Sequence, residues 1–288
     1  MTRFLRQLVI IGMALLLVGS CGSHRNHPIN VHRLCDHNSA TAQLRPSEAA
    51  VSPENLLTYR GGRLLTSVVV QPIFWGSVAW SSPQINTVPK KIADFFAAIL
   101  KKGSVFNAQL AEYSLSGRPQ FGPGSLLASV VVNSSPPKRV SDAAIRTALA
   151  GWIRQGVVAA TRQQTFYAIY LPPGTVSVNG REMSCRDYCG YHDSFVSNGV
   201  SVFYAVLPYP SCQGCLPRVS FERLLDPASA LMVVSSHELA EGQTDPIPGE
   251  GWYNDINGEN GDYCVGQIRQ EGNFFIQKEW SNRAGACL

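Results

Sequence analysis

The stretch "SDAAIRTALAGWIRQG" (residues 141–156), followed after a short polar break by "TFYAIYLP" (165–172), decides the fold class. The first piece repeats apolar residues at helical spacing, with Ser141 as the expected N-cap and Gly156 as the stop. The second is a short aromatic and β-branched run with no polar face, the pattern of a buried strand. Two further strands are read upstream, "LLTSVVVQPIFWG" (64–76) and "SLLASVVVN" (125–133). Between them "PQINTVPKKIADFFAAILKKG" (83–103) has helical periodicity and ends at Gly103. Strand, helix, strand, helix, strand predicts an α/β domain: a mixed sheet with packed helices, the zincin arrangement being one form it can take.

Residues 173–222 change character. They hold four cysteines, many glycines and prolines, and one clear strand, "GVSVFYAVLPY" (199–209). A disulfide-tied, loop-rich insertion packed on the sheet is expected here. Asp226 and Pro227 then open a helix, Asp as cap and Pro at the first helical position. The helix continues through "ASALMVVSSHELAEG" (228–242), and its start, Ala228 to Ser235, has no polar face. A helix of that kind is buried on most sides.

Composition narrows the function classes. Of 288 residues, 45% are hydrophobic and 15% charged, so the chain is globular, and its net charge of +4 is too small a bias to argue for nucleic acid. Arg3 and Arg6 precede the apolar run "LVIIGMALLLVG", whose length suits the core of a signal peptide. Val18-Gly19-Ser20-Cys21 has the form of a bacterial lipobox, which makes Cys21 a lipidation site and gives a membrane-anchored lipoprotein. An ordinary signal peptide and a secreted or periplasmic product is the alternative. On this reading 1–20 is the signal peptide, 21–55 a tether and 56–288 one domain. Eight cysteines fit an exported chain. Cys264 and Cys287 bracket the last strand and are expected to pair, with Cys35 as the orphan. Cys185 with Cys189 and Cys212 with Cys215 form local bridges or exchange partners. A four-cysteine zinc site is the competing reading.

The chemistry concentrates where the apolar helix ends, in "VVSSHELAEGQTDP" (233–246). His237 and Glu241 are one turn apart on one face, able to grip one ion, and Glu238 lies about 100° round the helix, where a base reaches an ion's water. This is the spacing of the His-Glu-x-x-His zinc peptidase helix with Glu241 in place of the second histidine. A carboxylate is a legitimate zinc ligand. The third ligand is left open among Asp245, Glu259 and Asp262, the last two from "GWYNDINGENGDYC" (251–264). The acidic "DINGENGD" within it is also a candidate calcium loop, though not an EF-hand. His192 in "CGYHDSF" (189–195) is a further candidate, with a structural role beside a disulfide as the simpler reading. Two functions follow. One is an exported, peptidase-like zinc hydrolase with Glu238 as catalytic base and a peptide or other cell-envelope substrate. The other is a non-catalytic surface protein with a structural cation.

With those residues in view, the chain resembles the EXORDIUM, or phosphate-induced, proteins over about residues 57–288. "LTYRGGRLLTSVVVQPIFWGS" (57–77), "CGYHDSF", "FYAVLPYPSCQGC" (203–215) and "FIQKEWSNRAGACL" (275–288) are similar to ordered motifs of that family. Plant members lack the His-Glu pair and carry Val-Thr-Asn-Pro where this chain has "GQTDP", so the likeness is to the microbial branch. The resemblance implies an extracellular cell-envelope protein. It implies no chemistry, since the plant members, linked to cell expansion, have no established activity.

Overall fold

The computed structural model describes residues 52–220 and 223–288. The expected signal peptide, Cys21, Cys35 and most of the expected tether lie outside the described residues. The part of the tether that is described, Pro53–Asn55, forms one 3-10 turn held to the domain. There the Tyr263 hydroxyl donates to the Asn55 carbonyl, and Asn254 Nδ2 donates to the Glu54 and Leu56 carbonyls.

The elements used below are β1 (Val69–Trp75), α1 (Val88–Ile99), β2 (Ser125–Leu126), β3 (Val130–Val132), α2 (Asp142–Arg154), β4 (Thr165–Leu171), β5 (Tyr191–Ser197), β6 (Val200–Pro208), α3 (Pro227–Thr244), β7 (Ile268–Glu271) and β8 (Phe274–Gln277). β2 and β3, the two halves of the single strand expected over 125–133, both pair parallel with β1. Next come β4 and β6, also parallel, and then β5, which runs antiparallel at the edge.

Alternate residues of each strand enter opposite cores, as the period of two requires. Val70, Phe74, Phe166, Tyr170 and Phe203 join Ile92, Phe95, Phe96 and Ile99 of α1 and Leu231 and Leu239 of α3. Ile73, Trp75, Tyr167, Ile169, Tyr204 and Val206 join Ile145, Leu149 and Trp152 of α2. The sheet is thus covered by helices on both faces. α2 begins as its sequence demands, with Ser141 Oγ accepting the Ala144 N–H at 3.3 Å.

β5 is the longest of the strands the sequence reading missed inside the expected loop-rich insertion, beside Val176–Asn179, Glu182–Met183 and Arg218–Ser220. It forms a hairpin with β6, and Ser197 pairs with Val200, leaving Asn198 and Gly199 as a two-residue turn. Both have positive φ, 50° and 77°, the backbone that Asn-Gly adopts in a tight hairpin. The rest of the insertion is tied down by disulfides. Cys185 bonds Cys212 and Cys189 bonds Cys215, so the two pairs exchange partners instead of closing locally, and no four-cysteine zinc site is formed. Cys264 bonds Cys287 as expected. Three disulfides fit an oxidising compartment. Among the described residues no helix is long and apolar enough to cross a membrane.

α3 runs under the sheet, buried along nearly its whole length, and continues two residues past Gly242 to Thr244. The lack of a polar face has a plain cause: the sheet and α1 cover one side and the hairpin β7–β8 covers the other. Asp226 caps its start, accepting the Ala228 N–H at 3.1 Å and the Ser229 N–H at 3.2 Å.

Candidate metal centre

The buried end of α3 carries His237, Glu238 and Glu241 into a space closed by β5 on one side and by the loop of residues 254–262 on the other. His237 is 4% exposed, Glu238 1% and Glu241 0%. Close approach of glycines makes room for them. A Cβ on Gly190 would lie 2.9 Å from Glu238 Oε1, and one on Gly261 would lie 2.8 Å from both Glu241 Oε1 and His237 Nδ1. Any side chain at either position would push into the cluster.

Two donor sets meet at Glu241. His237, Glu241 and Asp262 offer ligand atoms within 4.8 Å of one another, and so do His192, Glu241 and Glu259. His237 Nε2 is 3.3 Å from Glu241 Oε1. His192 Nδ1 is 3.5 Å from Glu238 Oε2 and from Glu241 Oε2, and its Nε2 is 3.5 Å from Glu259 Oε1. Gln277 of β8 pins the ring of His237. Its Nε2 donates to the Gly261 carbonyl at 2.8 Å and lies 2.7 Å from His237 Nδ1. The Gly261 carbonyl can only accept, so it fixes the amide nitrogen on that side, and the same nitrogen donates to His237 Nδ1.

The sequence candidates therefore divide. His237 and Asp262 meet Glu241 in one donor set, and Glu259 meets it with His192 in the other. Asp245 does not offer a free carboxylate. Its oxygens accept the N–H groups of Gly249 at 2.6 Å, Glu250 at 3.0 Å and Gly251 at 2.5 Å, so it shapes the turn after the helix. Burial pushes the Asp245 carboxyl up, and those backbone donors pull against it. The candidate calcium loop is likewise engaged. Asp255 pairs with Arg60 at 2.7 Å on the surface, and Asn254 Oδ1 accepts the N–H groups of Ile256 and Asn257.

His192 joins the cluster as a central member, where a structural role beside a disulfide was the simpler reading, and Gln277 was missed altogether. Asp193, the residue after His192, turns to the opposite face of β5. There Arg146 of α2 pairs with Asp193 and Asp142, while the Tyr191 and Tyr204 hydroxyls donate to Asp142. This network anchors the strand that presents His192.

The electrostatics are those of a site built for positive charge. Burial works against ionising His192, but Glu259, Glu238 and Glu241 outweigh it and hold the imidazole well above its usual range. Burial, reinforced by Glu241, Asp245 and Asp262, holds the Glu259 carboxyl well above the usual carboxylate range against the pull of His192. Buried carboxylates in this number need a compensating cation or protons. A small cavity of about 50 Å³ reaches the cluster, lined by Gly190, Val234, His237, Glu238, Val265 and Gln277 among others.

No family model, no curated protein and no solved structure matches the chain.

Proposed function

We propose that the protein is an exported, peptidase-like zinc hydrolase whose ion is held by His237, Glu241 and Asp262, with Glu238 as the base. One observation carries this reading. His237 Nε2 and Glu241 Oε1 stand 3.3 Å apart at a buried helix end, and His237 and Glu238 both line the cavity that reaches it. That spacing is long for a charge-assisted hydrogen bond, roughly 2.7–2.9 Å. It suits two ligand atoms each about 2.1 Å from one tetrahedral ion, which sit roughly 3.4 Å apart.

A zinc ion there supplies a Lewis acid that polarises a carbonyl and lowers the pKa of water. The chain's own residues do the rest. Glu238 faces the cavity, accepts the proton of the attacking water and returns it to the leaving amine. Glu241 in place of a histidine adds negative charge to the ligand set, which makes the water less acidic than at an all-histidine site. The same reading takes the fold as zincin-like, the motif helix lying under a mixed sheet whose edge strand runs antiparallel to the rest. Cys21 lipidation and the EXORDIUM resemblance both point to the cell envelope as the place of action.

The second reading, a surface protein with a structural cation, draws on the near-complete burial of the carboxylates. The two separate on one assay. Hydrolysis of a peptide library by the zinc-loaded protein, abolished by chelator and by Glu238→Gln, supports the enzyme. Bound ion without hydrolysis of any member supports the structural site.

A further inference from the structure

The two oxygens of Glu241 face different histidines. Oε1 faces His237 Nε2 at 3.3 Å and Oε2 faces His192 Nδ1 at 3.5 Å. The hydrolase reading uses only the first side. The second belongs to the donor set of His192, Glu241 and Glu259, in which each residue is at most 1% exposed.

We propose that this deeper set binds a second divalent metal ion, joined to the first through the Glu241 carboxylate. The proposal rests on the hydrolase reading for its first ion and adds a site that the His-Glu-x-x-Glu motif does not contain.

His192 carries the argument. Its Nε2 lies 3.2 Å from the Asp245 carbonyl oxygen, which can only accept, and 3.5 Å from Glu259 Oε1, so Glu259 approaches the ring on that side and reaches the set only within 4.8 Å. Nε2 therefore holds a proton, and Nδ1 is the atom left to bind. A histidine whose other nitrogen donates to a backbone carbonyl is oriented as metal-ligating histidines are. Nδ1 is buried with no hydrogen-bond partner. What it faces is Glu238 Oε2 and Glu241 Oε2, both 3.5 Å away. If Nδ1 carries no proton, it and two carboxylate oxygens confront one another as buried acceptors, which is costly without a positive charge nearby. A proton on Nδ1 is the competing charge, but 3.5 Å is too long for the bond it would make, and it matches the edge of about 3.4 Å between ligands of one ion.

The ligand chemistry sets the class of ion. One imidazole and carboxylates suit zinc or manganese and not the thiolate-seeking ions. Sharing a carboxylate is compatible with the roughly 3.5–4 Å separation of two-metal hydrolytic sites. None of His192, Glu241 and Glu259 lines the cavity, so the deeper ion orients Glu241 and balances charge, while the outer one meets substrate.

The test is metal counting on the full chain, stripped with chelator and reloaded with zinc alone. Two ions per wild-type chain are expected, one in His192→Gln, one in His237→Gln and none in Glu241→Gln. Manganese(II) loaded into the wild type gives a check that needs no variant to fold: paramagnetic resonance is expected to show an exchange-coupled pair. A single wild-type ion that survives His192→Gln and is lost in His237→Gln overturns the second site and leaves the hydrolase reading standing. A single ion that is lost in His192→Gln and survives His237→Gln overturns both. So does a wild type that binds none. Isolated-ion resonance in the manganese protein overturns the shared carboxylate.

Discussion

His192 Nδ1 stands 3.5 Å from Glu241 Oε2, so the edge strand of the sheet and the helix beneath it meet at one carboxylate. Neither element can shift without moving that contact. The metal-binding account consequently predicts that ion occupancy and fold stability are linked, because an ion that binds only the folded state stabilises it.

Glu241→Gln tests the linkage at its centre. The variant keeps the shape of the side chain and loses the charge that both donor sets share. Bound zinc is expected to disappear, and the thermal midpoint to fall to that of chelator-treated wild type. Calorimetry with and without chelator checks both. Zinc retained at the wild-type level in the variant goes against the account.

Glu238→Gln is expected to behave differently. Glu238 serves as base in the proposed reaction and is not a ligand of the ion on His237, so at least that zinc is retained while hydrolysis falls by roughly two orders of magnitude or more. Elemental analysis beside a peptidase assay separates the two effects.

The Cys264–Cys287 bridge lies two residues beyond Asp262 and ties the loop that carries Glu259 and Asp262 to the end of the chain. Cys287→Ser is expected to cost about 2–5 kcal/mol in stability and to weaken zinc binding as the loop loosens. Non-reducing peptide mapping that finds Cys264 free in the wild type contradicts this.

Much of this arrangement was legible in the sequence, and the misses have physical causes. The helices at 88–99 and 142–154 announce themselves by periodicity, caps and stops, the helix at 227–244 by its Asp226-Pro227 start, and β1, β4 and β6 by apolar runs. β5 was hidden because "YHDSFVS" mixes charge and polarity. Its polar residues serve the site on one face and the Arg146 network on the other, and so mask the alternation of a strand. The Asn-Gly pair after it was the signal that could have revealed the hairpin. His192 was undervalued for the same reason, since its partners come from a helix and a loop far along the chain. Asp245 looked like a ligand by spacing alone, but the turn that follows needs its oxygens for three backbone N–H groups. Spacing within one helix is a local property that a sequence displays. Which loop folds back on it is not.

Gly242 gives a packing test of how α3 is seated. A Cβ there would lie 2.3 Å from Phe166 Cε2 of β4, a ring fully enclosed in the core. Gly242→Ala is expected to cost about 1–3 kcal/mol by overpacking, although alanine favours helix. The double variant with Phe166→Leu should recover part of that loss, and a double-mutant cycle by chemical denaturation reads the coupling.

The cap of α3 gives a pH test away from the metal centre. Partial burial raises the Asp226 carboxyl, but the Ser229 hydroxyl and the Ser229 and Ala228 N–H groups outweigh it, leaving the group below its usual range. A depressed carboxyl adds stability above its unfolded pKa, roughly 3.9, and that stability is lost as pH falls through the folded value. Asp226→Ala is therefore expected to cost about 1 kcal/mol near neutral pH and progressively less in acid. A stability difference that stays constant from neutral pH into strong acid would count against the cap.

The most direct measurement is the divalent metal content of the folded wild-type chain beside that of Glu241→Gln, both exposed to zinc and then dialysed. The account predicts stoichiometric zinc in the wild type and none in the variant. A folded wild type that retains no metal, with a thermal midpoint that chelator leaves unchanged, would contradict it and leave the cluster as the protonated polar end of a buried helix.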